Sequence, residues 1–290
     1  MEAFRALSLF QPSNFVAAIQ STRDSDSSGQ RRLFGAMLSI PHMEAARSAS
    51  VLGFEFILID AQHTAIDAEG LVGLIRTINF TSEGKTCTLV RVPGAESHLL
   101  AYALDAGASG IVFPHINSRK DAMAAVNKVR YAYKGGERSL APWALVPFLT
   151  DQAPDGHTAE TISDEHVAVI CQIETTLGLE NVDEIAATPG INALMLGPGD
   201  MRVSLRLPVR GPGRKEDDAV FCEARDRLVK AAKAHQMALM TIAFRATPGI
   251  EEWLKDFDLI VTSSDINSIV RFHLDGREAI RCALRASSIA

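Results

Sequence analysis

The chain has 290 residues, 47% hydrophobic and 22% charged, which is enough apolar material for a large folded core and excludes a disordered or fibrous class. Its net charge of −6 argues against a nucleic-acid scaffold, which carries a basic face, and favours small-molecule chemistry. No apolar run approaches the roughly 20 residues of a membrane helix, and the N-terminus lacks a basic segment leading into a long apolar one, so a soluble, cytoplasmic protein with no membrane partner is expected.

Residues 1–32 close with the polar stretch Ser21–Arg32 (STRDSDSSGQRR), which has no apolar residue and marks a loop; what precedes it reads as an N-terminal arm, docking on the body or on a neighbouring subunit. From residue 33 onward, short apolar runs recur at 33–38 (LFGAML), 54–60 (FEFILID), 86–92 (TCTLVRV), 110–114 (GIVFP), 167–174 (VAVICQIE), 193–197 (ALMLG), 237–244 (MALMTIAF) and 258–263 (DLIVTS). Helical spacing fills most intervals, as at 68–78, 97–107, 119–132 and 226–235, with Gly107 placed where a helix ends. Apolar runs without alternation belong to strands covered on both faces, hence to a parallel sheet with crossover helices. Eight such units predict one (β/α)8 TIM barrel over residues 33–290, C-terminal helices included. A doubly wound open sheet is the alternative, disfavoured because no G-x-G-x-x-G follows the first strand. Cys87, Cys171, Cys222 and Cys282 lack C-x-x-C spacing and read as reduced, mostly buried thiols.

Active sites of this fold sit where strands end, and the predicted strand ends are where the polar residues gather: Asp60, Gln62 and His63 after the second, Arg91 on the third, His115 after the fourth, Gln172 and Glu174 on the fifth, Asp200 after the sixth. Gln172 and Glu174, two apart, point to one face of their strand and can both face the barrel axis, while Ile173 faces the helices. A carboxylate buried there without a partner is costly. Glu174 and Asp200, on neighbouring strands, are placed to share a hard cation whose remaining positions go to water and substrate oxygens, which favours Mg2+, Mn2+ or Co2+ over zinc; the alternative is a salt bridge from Glu174 to Arg91. The backbone at Gly197–Asp200 (GPGD), opening a helix, suits a carboxylate, although as a motif it is equally an ordinary turn.

Together, FILIDAQH, VRVP with Asp105 in the following LDAG, QIET and GPGD resemble the metal-dependent class II pyruvate aldolases of the 4-hydroxy-2-oxoheptanedioate aldolase type, from about Leu33 to Asn267. His115 directly after Phe113-Pro114 makes the chain look nearest to the macrophomate synthase branch. The resemblance implies a (β/α)8 barrel assembled as a homo-oligomer, a hexamer of paired barrels, acting on a small 2-oxo acid. Carried over to matching positions, it implies metal ligands Glu174 and Asp200, substrate contacts at Gln172, the Gly199 backbone and Asp200, a transition-state arginine at Arg91, and a base at His63 that works through water and is tuned by Asp105. This agrees with the chemistry: a cation stabilises the enolate of a chelating 2-oxo acid, an arginine adds charge where the oxyanion develops, and a histidine exchanges its proton near neutral pH.

The chain departs from the family pattern at Gln62, where an acidic residue usually precedes the histidine, and at Arg138-Ser139, where Arg-Gly is usual. Both leave the acceptor open. His115 either contacts a second substrate or caps its loop, Arg245 is a candidate for an acidic acceptor, and GPGRKEDD (211–218) reads as a solvated loop because it lacks the G-K-[ST] of a phosphate cradle. No lysine falls at a strand end, so a Schiff-base aldolase is not expected. Oxaloacetate decarboxylation with trapping of the enolate by a larger electrophile is the second enzymatic reading, and a binding barrel without activity the third.

Overall fold

The computed structural model describes residues 1–23, 31–141, 146–209, 218–244 and 250–287. Eight parallel strands close into a barrel in sequential order: β1 (Leu33–Leu38), β2 (Phe56–Asp60), β3 (Cys87–Arg91), β4 (Gly110–Phe113), β5 (Ala168–Ile173), β6 (Ala193–Leu196), β7 (Ala238–Ile242) and β8 (Leu259–Ser264), with β8 pairing back onto β1. The expected TIM barrel is therefore the observed fold. Its helices are α1 (Phe15–Gln20), α2 (Met43–Ser50), α3 (Ala68–Thr81), α4 (His98–Asp105), α5 (Arg119–Val129), α6 (Ala159–His166), α7 (Thr176–Glu180), α8 (Val182–Ala186), α9 (Pro198–Ser204), α10 (Ala219–Ala234), α11 (Ile250–Leu254) and α12 (Asp265–Ser287). Among the described residues no helix is long and apolar enough to cross a membrane.

The two faces of each strand feed two cores. Phe56 and Leu58 of β2, Cys87 and Leu89 of β3, Ala168 and Ile170 of β5 and Ala193 and Met195 of β6 point inward into one buried cluster, while Ile57, Ile59, Val90, Val169, Ile173 and Leu194 point outward and pack with the helices. This is the period-2 alternation of a strand, with both faces apolar because both are covered. α1 joins the inner cluster: Phe15, Ala18 and Ile19 are buried against the strand starts, so the N-terminal segment plugs that pole of the barrel. It is seated closely enough that a Cβ at Gly107 would fall 2.7 Å from the Phe10 carbonyl oxygen. Gly107 has φ +94° and follows α4, where a glycine in the left-handed region closes the helix end as the sequence predicts.

α5 ends at Val129, short of the expected 132, because Arg130 turns extended and the Tyr131 N–H donates to the Asp164 carboxylate at 2.9 Å instead of continuing the helix. Helix α10 starts at Ala219, before the expected 226. Cys87 and Cys171 are buried and desolvation pushes both thiols up to about 12; Cys222 is half-buried and Cys282 exposed. Arg245, most of the 211–218 loop and residues 24–30 of the polar stretch lie outside the described residues.

Candidate active site

The inward rows that are apolar at the plugged pole become polar one step further along β2, β3 and β5. After Leu58 comes Asp60, after Leu89 comes Arg91, after Ile170 come Gln172 and Glu174, and after Met195 comes Gly197. Asp60 and Arg91 are direct register partners on β2 and β3. The Arg91 guanidinium donates from Nε to Asp60 Oδ1 at 2.9 Å and from Nη2 to Oδ2 at 2.7 Å, with side chains only 8% and 6% exposed. A planar fork held on a carboxylate in this way has its rotamer set before any ligand arrives. Arg91 is therefore bound by Asp60 rather than by Glu174, the partner that the salt-bridge alternative required.

Glu174 is 1% exposed. Its Oε1 accepts from the His115 backbone N–H at 2.9 Å, its Oε2 accepts from Gln172 Nε2, and the His115 ring Nδ1 lies 3.5 Å from Oε1. His115 takes the left-handed conformation, φ +52°, uncommon for a residue with a Cβ and a feature that clusters at functional sites. Burial pushes the Glu174 carboxyl above the usual range; the hydrogen bonds from His115 and Gln172 oppose this, and the charge of Asp200 adds to it. Across the carboxylate, a Cβ at position 197 would come 2.5 Å from Glu174 Oε2 and 2.8 Å from Gln172 Nε2, so only glycine lets β6 approach this closely. The Gln172 Oε1 is buried and has no hydrogen-bond partner.

These observations fit a cation. A desolvated carboxylate made harder to ionise by a second one, with an orphaned amide oxygen beside it, is a hard-oxygen donor set that a divalent ion stabilises. Among the described residues no group of three or more His, Cys, Asp or Glu side chains is arranged to hold a metal ion. Gly199 and Asp200 are exposed in the first turn of α9, at the same pole.

His63 is exposed, just beyond Gln62, whose N–H donates to Asp60 Oδ1 at 3.2 Å and whose Oε1 is buried without a partner. Asp105 stands apart. α4 runs back from the end of β3 to the start of β4, so its last residue lies at the plugged pole, opposite His63. There the Asp105 carboxylate accepts from Arg138 Nη2 at 3.4 Å. The direction of α4 alone was the signal for this, since crossover helices end where the next strand begins. Asp60 as the holder of Arg91 and Gly197 as the close approach to Glu174 are roles that sequence reasoning did not assign, although both continue inward-pointing rows.

Residues 35–267 match the HpcH/HpaI aldolase/citrate lyase family. The chain belongs to this family. It is 30% identical to the hydroxypyruvate/pyruvate aldolase of Paraburkholderia phytofirmans over 86% of this chain and 93% of that one. It is 31% identical to the 4-hydroxy-2-oxovalerate aldolase of Novosphingobium aromaticivorans over 69% and 72%. The crystal structure of macrophomate synthase superposes with a TM-score of 0.89 at 28% identity, covering 99% of this chain and 95% of that one. As an HpcH/HpaI protein it is an enzyme, an aldolase-type carbon–carbon lyase.

Proposed function

We propose that this HpcH/HpaI lyase forms or consumes the enolate of pyruvate, adding it to an aldehyde or releasing it from a 4-hydroxy-2-oxo acid, with Mg2+, Mn2+ or Co2+ as cofactor. The observation that carries the reading is the buried Glu174 carboxylate, costly to keep charged on its own, set beside an orphaned Gln172 oxygen and an exposed Asp200. Aldolases of hydroxypyruvate, pyruvate and 4-hydroxy-2-oxovalerate among its relatives support a 2-oxo acid substrate.

Glu174 and Asp200 would hold the divalent ion, which when bound supplies Lewis-acid polarisation of the 2-oxo acid. Gln172, its Nε2 engaged by Glu174, keeps its acceptor Oε1 for a water that also donates to the bound acid, and the Gly199 backbone and Asp200 line the acid's other side. Arg91, immobilised by Asp60, brings fixed positive charge to the mouth where the enolate oxygen develops, with no reorganisation at the moment of reaction. His63 takes the C3 proton through water and returns it. Asp105 tunes this histidine, and because the two lie at opposite poles of one barrel, it is the Asp105 of a neighbouring copy that does so. A homo-oligomer of paired barrels is part of the proposal for that reason. It also accounts for α12, where Ile266, Val270 and Leu274, four apart, and Ile280 and Leu284 stand 49–64% exposed on a helix that leaves β8 directly, a face for a second copy to cover.

Proton NMR of pyruvate in heavy water tests this. Methyl exchange should require Mg2+ or Mn2+, stop on chelation, and be lost in Glu174→Gln; exchange that survives the mutation removes Glu174 from the site. The close superposition of macrophomate synthase and the strained His115 beside Glu174 favour one second reading, decarboxylation of oxaloacetate with the enolate trapped by a bulky electrophile such as a pyrone. Pyruvate release from oxaloacetate without exchange of added pyruvate would select it.

A further inference from the structure

Beyond the mouth, one buried charged group stands in contact with a residue to which the reaction has been assigned. Arg138 sits on the hairpin that follows α5, with its side chain 7% exposed. The hairpin is held in shape by the Arg138 N–H donating to the Arg130 carbonyl at 3.0 Å and by the Glu137 N–H donating to the Asn127 carbonyl at 2.7 Å. The guanidinium then lies 4.5 Å from the Tyr131 ring centre, donates from Nη1 to Ser163 Oγ at 2.5 Å and from Nη2 to Asp105 Oδ1 at 3.4 Å. Three elements thus converge on one cation: α4 through Asp105, the hairpin through Tyr131, and α6 through Ser163. Asp105 and Arg138 are on the wall of a groove of about 360 Å³ with apolar sides at Leu100, Leu104 and Leu140.

We propose that Arg138 is the positioning residue for Asp105, holding its carboxylate aimed into this groove for the histidine that it tunes. The inference rests on the reading that Asp105 acts in the reaction, and it goes beyond that reading by naming what sets the state of Asp105.

The surroundings support the role. Burial pushes the Asp105 carboxyl above the usual range, and the charge and hydrogen bond of Arg138 are what oppose that push. The other titratable groups around the groove are Tyr131 on the hairpin, Glu137 beside it, Lys128 on α5 and Glu96 ahead of α4. Lys128 is engaged by Glu96 and Glu137, each at 3.4 Å, which leaves Arg138 as the cation bonded to Asp105. Behind Arg138, Arg130 and Asp164 face Tyr131 and add no direct contact to Asp105. The stacking on Tyr131 matters because it fixes the plane of the guanidinium; a lysine at 138 would keep the charge and lose that plane.

The test is the pH profile of metal-dependent pyruvate methyl exchange, measured on the full-length protein and on Arg138→Met, Arg138→Lys and Asp105→Asn. Removing the guanidinium makes the carboxylate easier to protonate, so Arg138→Met should move the acid limb to higher pH by about one unit, with the rate recovering on the alkaline side. Arg138→Lys should move it in the same direction by less, and serves alone should the methionine variant not fold. An even loss of rate at every pH, or an unmoved limb, overturns the positioning role and leaves Arg138 a packing residue. Asp105→Asn separates the two layers. If it leaves the rate intact, the assignment of Asp105 to the reaction falls and this inference with it; if it lowers the rate while both arginine variants keep the wild-type limb, only the inference falls.

Discussion

The two poles of the barrel are built on the same eight strands and by the same alternation, yet they are opposite in character. At the plugged pole the inward rows are Phe56, Cys87, Ala168 and Ala193, and α1 covers them with Phe15, Ala18 and Ile19. At the open pole the same rows end in Asp60, Arg91, Glu174 and Gly197, all buried. The first arrangement removes apolar surface from water and stabilises; the second desolvates charge and opposes folding unless each charge is matched. Asp60 and Arg91 match one another, whereas Glu174 is only partly matched by two hydrogen bonds. The barrel is thus braced at one end so that an unfavourable arrangement can persist at the other, which is how residues in functional sites commonly sit.

Substitutions at each pole should separate the two roles. The largest effect is expected at the plug: Phe15→Ala should cost about 3–5 kcal/mol in urea unfolding, while leaving kcat of whatever folds unchanged; a specific loss of kcat would show that the plug reaches the mouth. Next, Arg91→Met should lower kcat/KM by about 10²–10³-fold and lower the unfolding midpoint as well, since Asp60 is then buried without its partner. Gly197→Ala, whose methyl would meet Glu174 and Gln172, should cost about tenfold in activity, because second contacts of a ligand-holding side chain are worth about 10–100-fold, and the comparison to make is apparent metal affinity by titration. Smallest and opposite in sign, Glu174→Gln should raise the stability of the metal-free protein by about 0.5–2 kcal/mol while abolishing exchange. The sign follows from the pKa direction: a carboxyl raised by burial destabilises the fold above its ordinary pKa, so the gain should be present at neutral pH and vanish on acidification below the ordinary carboxyl range. A Glu174→Gln protein that melts earlier at neutral pH would mean that the charge is already compensated.

Much of this was legible in the sequence. Each of the eight apolar runs is a strand, because parallel strands covered on both faces leave runs of apolar residues that no other element of this length needs. The clustering of Arg91, His115, Gln172, Glu174 and Asp200 at one pole was legible too, since all follow strands that point the same way. Pairing was not. Whether Arg91 binds Asp60 or Glu174 depends on which inward side chains meet across the barrel, and both carboxylates satisfy the same charge rule. The pole of Asp105 was not legible for a related reason: its position in the chain, soon after Arg91, says nothing of which pole it occupies until the direction of α4 is followed.

What the amino-acid sequence determined by itself is the set of periodic, local facts: strand count, the alternation that turns Gln172 and Glu174 to one face, helix stops such as Gly107, and the chemistry on offer at each strand end. These depend on neighbours within a few residues, where geometry is fixed by the backbone. Tertiary structure decided the partners: Asp60 for Arg91, His115 and Gln172 for Glu174, the close approach of Gly197, and Arg138 for Asp105. Apart from Gln172 and Glu174, which are neighbours on one strand, those contacts join residues distant in the chain, and their energies turn on distances of a few tenths of an ångström and on burial, quantities that exist only once the barrel has closed.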